Sequence, residues 1–177
     1  VLFPRSVIYK RNTTAVKEEK KALHEMKVSQ SDALTATKKY VSKNFPAIDL
    51  SNVKDSSIKV SLPNVGGPSG GLIFTIGLID LLTPEDILQG RKVAGSGTIS
   101  ASGAVGPIGG ISEKIIAAKK AGATVLFASR DNCNEIAKDV TGISVVAIST
   151  LDEALEYLRK SPHSNFRGVS GCTNLGA

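Results

Sequence analysis

Two glycine-rich segments carry the residue types of this chain that could do covalent chemistry. Ser69 stands in the loop of residues 66–71 (Gly-Gly-Pro-Ser-Gly-Gly), and Lys114 follows the glycine pair at residues 109 and 110. A serine hydroxyl is a weak nucleophile until a base removes its proton, and a neutral lysine can be that base. The pair therefore predicts acyl transfer, with Ser69 as the nucleophile and Lys114 as the general base.

The sequence around Ser69 suits a nucleophile, although it has two other interpretations. Gly67 and Pro68 shape the approach of the chain, and Gly70 leaves the hydroxyl uncovered. At the N-terminus of the apolar helix that follows, unpaired N–H groups and the helix dipole can stabilise an oxyanion. The alternatives are a serine that only caps this helix and a glycine-rich loop that binds phosphate.

Lys114 can act as a base only if its pKa falls far enough to leave it mostly neutral near neutral pH. A place in the first turn of a predicted helix and burial would both lower that pKa. The alternative is an exposed lysine on a helix that also carries Lys119 and Lys120. His24 and His163 have no triad-like context, and the chain has no metal-binding or nucleotide-binding motif. Neither a metal nor a cofactor is therefore expected.

The composition limits the kinds of partner. The 177 residues, 41% of them apolar, suffice for one hydrophobic core. The apolar runs are too short to span a membrane, no signal segment opens the chain, and its start at Val1 indicates a processed chain or an excised fragment. The net charge is +6, and lysines crowd the first quarter. Interleaved acidic residues and an aromatic content of 5% favour a solvated helix face over nucleic-acid binding.

Helical and strand patterns alternate along the chain and predict helices packed on a sheet, in an α/β or α+β arrangement. They indicate a lead-in at residues 1–57, a catalytic domain at 58–160 and an irregular tail at 161–177. The predicted helices cover residues 14–44 (with a break near 29–31), 72–82, a start at 83–86, 112–121, 132–140 and 150–159. The predicted strands cover residues 58–62, 92–99, 104–108, 124–128 and 144–148, with a turn at 102–103.

Two cysteines, Cys133 and Cys172, have no metal-binding or redox-motif spacing. A disulfide between them would close a loop of about 40 residues, stabilise the fold by about 3–4 kcal/mol and pin the tail to the segment that begins at Cys133. Two free thiols are the alternative, and the composition does not decide between the two.

Taken in order, several segments resemble the proteolytic domain of Lon proteases. The resemblance covers residues 58–158 and rests on residues 66–71, 95–99, 103–105, 107–110, 112–118 and 121–123. It implies that Ser69 is the nucleophile, that Lys114 is its base, and that the fold is similar to the second domain of ribosomal protein S5, with helices on a mixed sheet. Ser96 stands where the family commonly has a threonine that orients the lysine. Gly70 replaces the usual alanine.

The substrate is expected to bind as an extended strand along residues 63–67 or 92–99. Val65 and Gly66 lie in the first of these segments, where many cytosolic members of the family have an acidic residue. This variant loop, residues 82–86 and the absence of an ATPase module are similar to the membrane-anchored, PDZ-containing Lon-like proteases of Gram-positive bacteria.

That branch implies an ATP-independent serine endopeptidase, extracytoplasmic, with an anchor and a peptide-binding domain upstream. It also implies unfolded or flexible protein substrates, a Cys133–Cys172 disulfide and, by family analogy, a hexamer.

Two other functions stay open. A catalytically inactive binding or scaffolding module would show salt-dependent nucleic-acid binding or no turnover. A phosphate-binding enzyme of related fold would bind ATP tightly.

Overall fold

The computed structural model describes residues 15–57, 67–160 and 168–172. Its helices are α1 (Ala15–Asn44), α2 (Gly71–Leu82), α3 (Ile111–Lys120) and α4 (Leu151–Lys160). Its strands are β1 (Val93–Ser96), β2 (Thr98–Ile99), β3 (Val105–Gly106), β4 (Val125–Ser129), β5 (Ser144–Ile148) and β6 (Gly168–Ser170). Short 3₁₀ helices cover Asp55–Ser57, Pro68–Gly70 and Arg130–Glu135.

Four of the described strands form a parallel sheet in the order β1-β4-β5-β6. The other two, β2 and β3, make a separate antiparallel pair. β4 and β5 are buried along their whole length. Burial on both faces explains why the two strands are nearly continuous apolar runs. Successive side chains of β4 alternate between the faces, so that Val125 and Phe127 join one core cluster while Leu126 and Ala128 join the other.

Helices cover both faces of this sheet and bury its two sides. On one face, α1, α2 and α4 contribute residues such as Val41, Ile76 and Leu155 to the larger core. On the other face, α3 contributes Ile111 and Ile115 to the smaller core. The structure confirms the predicted fold class, in which helices pack on a sheet and both parallel and antiparallel strand pairs occur.

Some predicted elements agree closely with the structure. The helices expected at residues 72–82 and 112–121 correspond to α2 and α3, and the strand at 144–148 is β5. The turn predicted at residues 102–103 connects β2 to β3, where the Gly103 N–H donates to the Ser100 carbonyl. At the start of α4, Thr150 Oγ1 accepts a hydrogen bond from the Glu153 N–H, as the side chain of a helix N-cap does.

Two of the predicted helix boundaries are wrong because side chains bind outside their own helix. The break near residues 29–31 does not occur, since α1 runs unbroken and Ser29 is buried against another segment. No helix begins at Pro84 either. The Asp80 carboxylate instead accepts the N–H groups of Ile87 and Leu88, at 3.0 and 3.3 Å, and holds this segment as a loop.

Three further expectations are also corrected. Residues 92–99 are not one strand, because the chain turns at Gly97 and divides them between β1 and β2. Asn132 does not cap a helix to residue 140; Ser129 caps the short 3₁₀ helix Arg130–Glu135 instead. The tail is not wholly irregular, since β6 lies in it and pairs with β5.

Several predictions lie outside the described residues, namely the extended start of the chain, the strand at 58–62, and Val65 and Gly66. The expected domain boundaries after residues 57 and 160 fall at the edges of the described ranges, and they stay predictions. Among the helices of these ranges, none is both long and apolar enough to cross a membrane.

Candidate active site

Ser69 lies in the 3₁₀ helix Pro68–Gly70, which leads directly into α2. The chain enters this turn at Gly67 with φ 94° and ψ 166°, a conformation that only glycine adopts readily. Pro68 then starts the turn with its fixed φ. In the described part of the chain the Ser69 hydroxyl has no hydrogen-bond partner, and Ser69 lines a cleft. The local sequence thus presents this hydroxyl at the start of a buried helix.

The segment that joins β1 to β2 holds the Ser69 turn from the side. The Gly97 N–H donates to the Ser69 carbonyl at 3.0 Å, and the Leu72 N–H donates to the Gly97 carbonyl at 3.2 Å. Ser96 is 6% exposed, and its hydroxyl donates a longer hydrogen bond, 3.5 Å, to the same Ser69 carbonyl. The structure therefore gives Ser96 a contact with the main chain of Ser69. Its predicted orienting of Lys114 stays a prediction.

Lys114 is the fourth residue of α3, and its side chain is half-buried. Burial lowers the pKa of the Lys114 ammonium from its ordinary value, because desolvation penalises the charged form. No carboxylate of the described residues forms an ion pair with it. An acidic partner would raise this pKa, so the surroundings of Lys114 favour the neutral amine that a base requires.

Ser69 and Lys114 line the same open cleft, which has a volume of about 400 Å³. The predicted site residues Ser96, Gly67 and Gly70 line it as well. Its remaining walls are apolar and consist of Met26, Ile73, Phe74, Ala94, Gly95, Ala117, Ala118, Ala121 and Leu126. No hydrogen bond joins Ser69 to Lys114 among the described residues, and catalytic hydrogen bonds often tighten only when substrate binds.

Of the other residues considered from the sequence, those that the structure describes do not line this cleft. His24 is exposed on α1, and His163 lies outside the described residues, as Val65 and Gly66 do. Cys133 and Cys172 form a disulfide with an S–S distance of 2.02 Å, which joins the 3₁₀ helix after β4 to the residues after β6. The ranges that the structure describes contain no group of three or more His, Cys, Asp or Glu side chains placed to hold a metal ion.

Sequence reasoning missed the contribution of α1 to the site. Met26 lines the cleft, and the Ser29 hydroxyl donates to the Pro68 carbonyl at 3.0 Å. The signal was present in the spacing of the helix. Ser29 falls three residues after Met26 and four before Ala33, which places a polar residue in the apolar stripe of α1. A polar residue at a buried helical position requires a hydrogen-bond partner elsewhere.

A serine on a helix-terminal turn and a desolvated lysine in one cleft, within a layered α+β fold, are typical of a serine peptidase domain. Comparison with protein families agrees with this class. The family of the Lon protease (S16) C-terminal proteolytic domain matches residues 13–160, and the chain belongs to this family. The matched range includes α1, which the structure packs against α2 in the larger core.

The chain is similar to one part of several curated Lon proteases. Lon protease 2 of Bacillus subtilis (strain 168) is 33% identical over 111 residues, which are 61% of this chain and 20% of that protein. The Lon protease of Koribacter versatilis is 38% identical over 95 residues, 51% of this chain and 11% of that protein. The mitochondrial Lon protease homolog of Debaryomyces hansenii is 36% identical over 115 residues, 63% of this chain and 10% of that protein. The chain thus spans a fifth or less of each of these relatives.

Proposed function

We propose that this chain is the catalytic domain of an ATP-independent serine endopeptidase that works through a Ser69–Lys114 dyad. The observation that carries the proposal is the shared cleft, in which the Ser69 hydroxyl and a Lys114 side chain of lowered pKa line the same apolar surface. Apolar walls favour the neutral amine, because a charged ammonium is costly where it is partly shielded from water. No cofactor takes part in the proposed reaction.

The reaction follows from these positions. Neutral Lys114 accepts the proton of the Ser69 hydroxyl while Oγ attacks the carbonyl carbon of the scissile peptide bond. The N–H groups of Gly71 and Leu72 already donate to the carbonyls of Pro68 and Gly97. The Ser69 N–H lies in the first turn of the 3₁₀ helix, where main-chain N–H groups lack a partner in their own helix, and in this proposal it donates to the oxyanion. The Lys114 ammonium then gives its proton to the leaving amine. Lys114 next activates a water that cleaves the acyl-enzyme, which releases the carboxylic acid and frees the Ser69 hydroxyl.

The substrate is an unfolded or flexible protein segment that lies extended along β1. β1 pairs with β4 on one side, and no strand of the described residues pairs with its other side. Ala94 and Gly95 of this strand line the cleft beside Ser69. Main-chain hydrogen bonds along a strand edge would bind a peptide without regard to most of its side chains.

The full-length protein, in this proposal, is a membrane-anchored bacterial protease of the PDZ-containing Lon-like branch, with this domain outside the cytoplasm and assembled as a hexamer. The Cys133–Cys172 disulfide supports this location, because disulfides persist mainly in oxidising compartments. Acidic residues between the lysines of α1, such as Glu18, Glu19 and Glu25, support the expectation that nucleic acid is not a partner.

The test is cleavage of casein by the chain without ATP, beside Ser69→Ala and Lys114→Ala. Ser102→Ala and Lys120→Ala are the matched controls, since both residues are exposed and lie outside the cleft. We expect cleavage by the parent and both controls, and a loss of at least about 10³-fold in the two dyad variants. Cleavage that survives in a folded Ser69→Ala protein would rule the proposed nucleophile out.

A further inference from the structure

The main chain directly before Ser69 is tied to α1 at two points. The Ser29 hydroxyl donates to the Pro68 carbonyl at 3.0 Å, and the Gly67 N–H donates to the Ala22 carbonyl at 2.9 Å. Ala22 and Ser29 are seven residues apart and lie on one face of α1, with Met26 between them. One helix face therefore contacts both the serine loop and, through Met26, the cleft itself.

Ser29 is 4% exposed, and the space around its hydroxyl is closely filled. A Cβ atom on Gly71 would come within 2.5 Å of Ser29 Oγ, so α1 and the start of α2 touch with no room for a side chain between them. A buried hydroxyl costs free energy unless it is hydrogen-bonded, and the Pro68 carbonyl supplies the partner of this one. The contact is therefore a fixed part of the packing.

The Pro68 carbonyl that Ser29 binds is coupled to a group used in the reaction. This carbonyl and the Ser69 N–H belong to the same planar peptide unit, which is trans, so the two groups point in opposite directions. This carbonyl accepts two hydrogen bonds, one from the Gly71 N–H of its own turn and one from the Ser29 hydroxyl of α1. The bonds that fix the direction of the carbonyl also fix the direction of the Ser69 N–H, and that of Ser29 is the one that comes from outside the turn. In the proposed reaction this N–H donates to the oxyanion.

We propose that Ser29 is a positioning residue for acyl transfer. From α1 it holds the peptide unit between Pro68 and Ser69 so that the Ser69 N–H and hydroxyl both face the cleft. The role in acyl transfer rests on the proposed function. The contact between α1 and the serine loop does not depend on that function.

The experiment compares Ser29→Ala with Thr37→Val in the whole chain. Thr37 is also buried on α1, at 0% exposed, but its hydroxyl donates to the Ala33 carbonyl of its own helix. Each variant removes one buried hydroxyl, and only that of Ser29 reaches the serine loop. Two readouts are taken: kcat and KM on a fluorogenic peptide, and amide hydrogen exchange over residues 67–72.

We expect Ser29→Ala to lower kcat by about 10–100-fold and to leave KM nearly unchanged. The variant misdirects the N–H that donates to the oxyanion, whereas it leaves the surface that binds the substrate intact. Thr37→Val should keep kcat within about twofold. Exchange over residues 67–72 should be faster in Ser29→Ala alone. Equal losses of kcat in the two variants, or an unchanged kcat in Ser29→Ala, would overturn the positioning role.

Failure of the proposed function gives a different pattern. If the parent is inactive, or if Ser69→Ala cleaves as the parent does, the exchange readout decides the matter alone. Faster exchange at residues 67–72 in Ser29→Ala, and not in Thr37→Val, then supports the contact as the element that fixes the loop. Exchange that Ser29→Ala leaves unchanged overturns it.

Discussion

Asn132 and Ile108 are joined by a pair of hydrogen bonds between a side chain and a main chain. Asn132 Oδ1 accepts the Ile108 N–H at 3.0 Å, and Asn132 Nδ2 donates to the Ile108 carbonyl at 2.7 Å. Asn132 is 1% exposed, and its Nδ2 also donates to Glu135 Oε1 at 3.0 Å. The amide thus pairs with Ile108 as a neighbouring strand would, and it ties the loop before α3 to the 3₁₀ helix after β4.

Replacing Asn132 should destabilise the domain. Asn132→Ala removes both partners of Ile108 and leaves a main-chain N–H and carbonyl poorly satisfied, which costs about 2–3 kcal/mol. Asn134→Ala is the control, because Asn134 is exposed in the same 3₁₀ helix, and it should stay within about 0.5 kcal/mol of the parent. Urea unfolding followed by circular dichroism measures both. Equal free energies of unfolding would show that the paired amide contributes little.

The neighbouring glycines Gly70 and Gly71 should respond in opposite ways to a methyl group. On Gly71 a Cβ would meet Ser29 Oγ at 2.5 Å, Ile99 Cγ2 at 2.8 Å and the Ile99 nitrogen at 3.1 Å. Main-chain atoms cannot move aside cheaply, so Gly71→Ala should cost about 1–3 kcal/mol and reduce turnover.

Gly70→Ala should be tolerated. Gly70 has φ −87° and ψ −6°, a conformation of negative φ that is allowed for alanine. Its Cβ would lie 3.1 Å from the ring of Phe74, which lines the open cleft and can turn away. The loss of freedom in the unfolded chain offsets this contact and leaves stability within about 1 kcal/mol of the parent. Thermal unfolding of Gly70→Ala and Gly71→Ala, measured side by side, checks both expectations. An equal fall of Tm in the two variants would contradict a steric clash between residue 71 and Ser29 of α1.

The lowered pKa of Lys114 determines the sign of two pH dependences. Between this lowered pKa and the ordinary lysine value, the unfolded chain binds more protons than the folded chain. The free energy of unfolding therefore rises with pH across that window. In the proposed dyad, activity rises as the pH passes up through this lowered pKa and then levels off, because only the neutral amine can take the proton of Ser69.

Lys114→Met should remove both effects. It should abolish turnover, flatten the rise of stability with pH and raise stability at neutral pH, where the parent holds a partly desolvated charge. Lys120→Met serves as the control, since Lys120 is exposed at the end of the same helix. Urea unfolding at pH values from about 6 to 11 gives the stability profile, because this range extends past the ordinary lysine pKa of about 10.4. The same slope in both variants would mean that the titrating group is not Lys114.

How far the sequence predicts this structure depends on the range of the contacts. Periodicity and glycine signals located α2, α3 and β5, since each rests on local patterns of burial and capping. Ser69, which glycines surround, and Lys114, four residues after Gly110, could be proposed for the same reason. Neither local pattern indicates that the 3₁₀ helix before α2 and the first turn of α3 bring these two residues to one cleft.

The expectations that were wrong depend on partners distant in the sequence. Ser29 is 39 residues from Pro68, and its burial there keeps α1 continuous where the local sequence indicates a break. Glu85 accepts two hydrogen bonds from Arg159, each 2.6 Å long, across 74 residues, which fixes a loop where Pro84 suggested a helix. Such contacts are set by tertiary packing, which overrides local propensity.

Reduction of the Cys133–Cys172 disulfide should lower the thermal stability of the domain. Cys133 and Cys172 are 39 residues apart, and their bond ties β6, a strand of three residues, back to the 3₁₀ helix after β4. Closing a loop of this length stabilises the folded state by about 3–4 kcal/mol, mainly by restricting the unfolded chain. The double variant Cys133→Ser/Cys172→Ser should therefore unfold at a lower temperature than the oxidised parent.

Thermal unfolding with and without a reductant tests this expectation. The reductant should lower the Tm of the parent toward that of the variant and leave the Tm of the variant unchanged. A reductant that shifts both proteins equally, or neither, would show that this bond does not stabilise the domain.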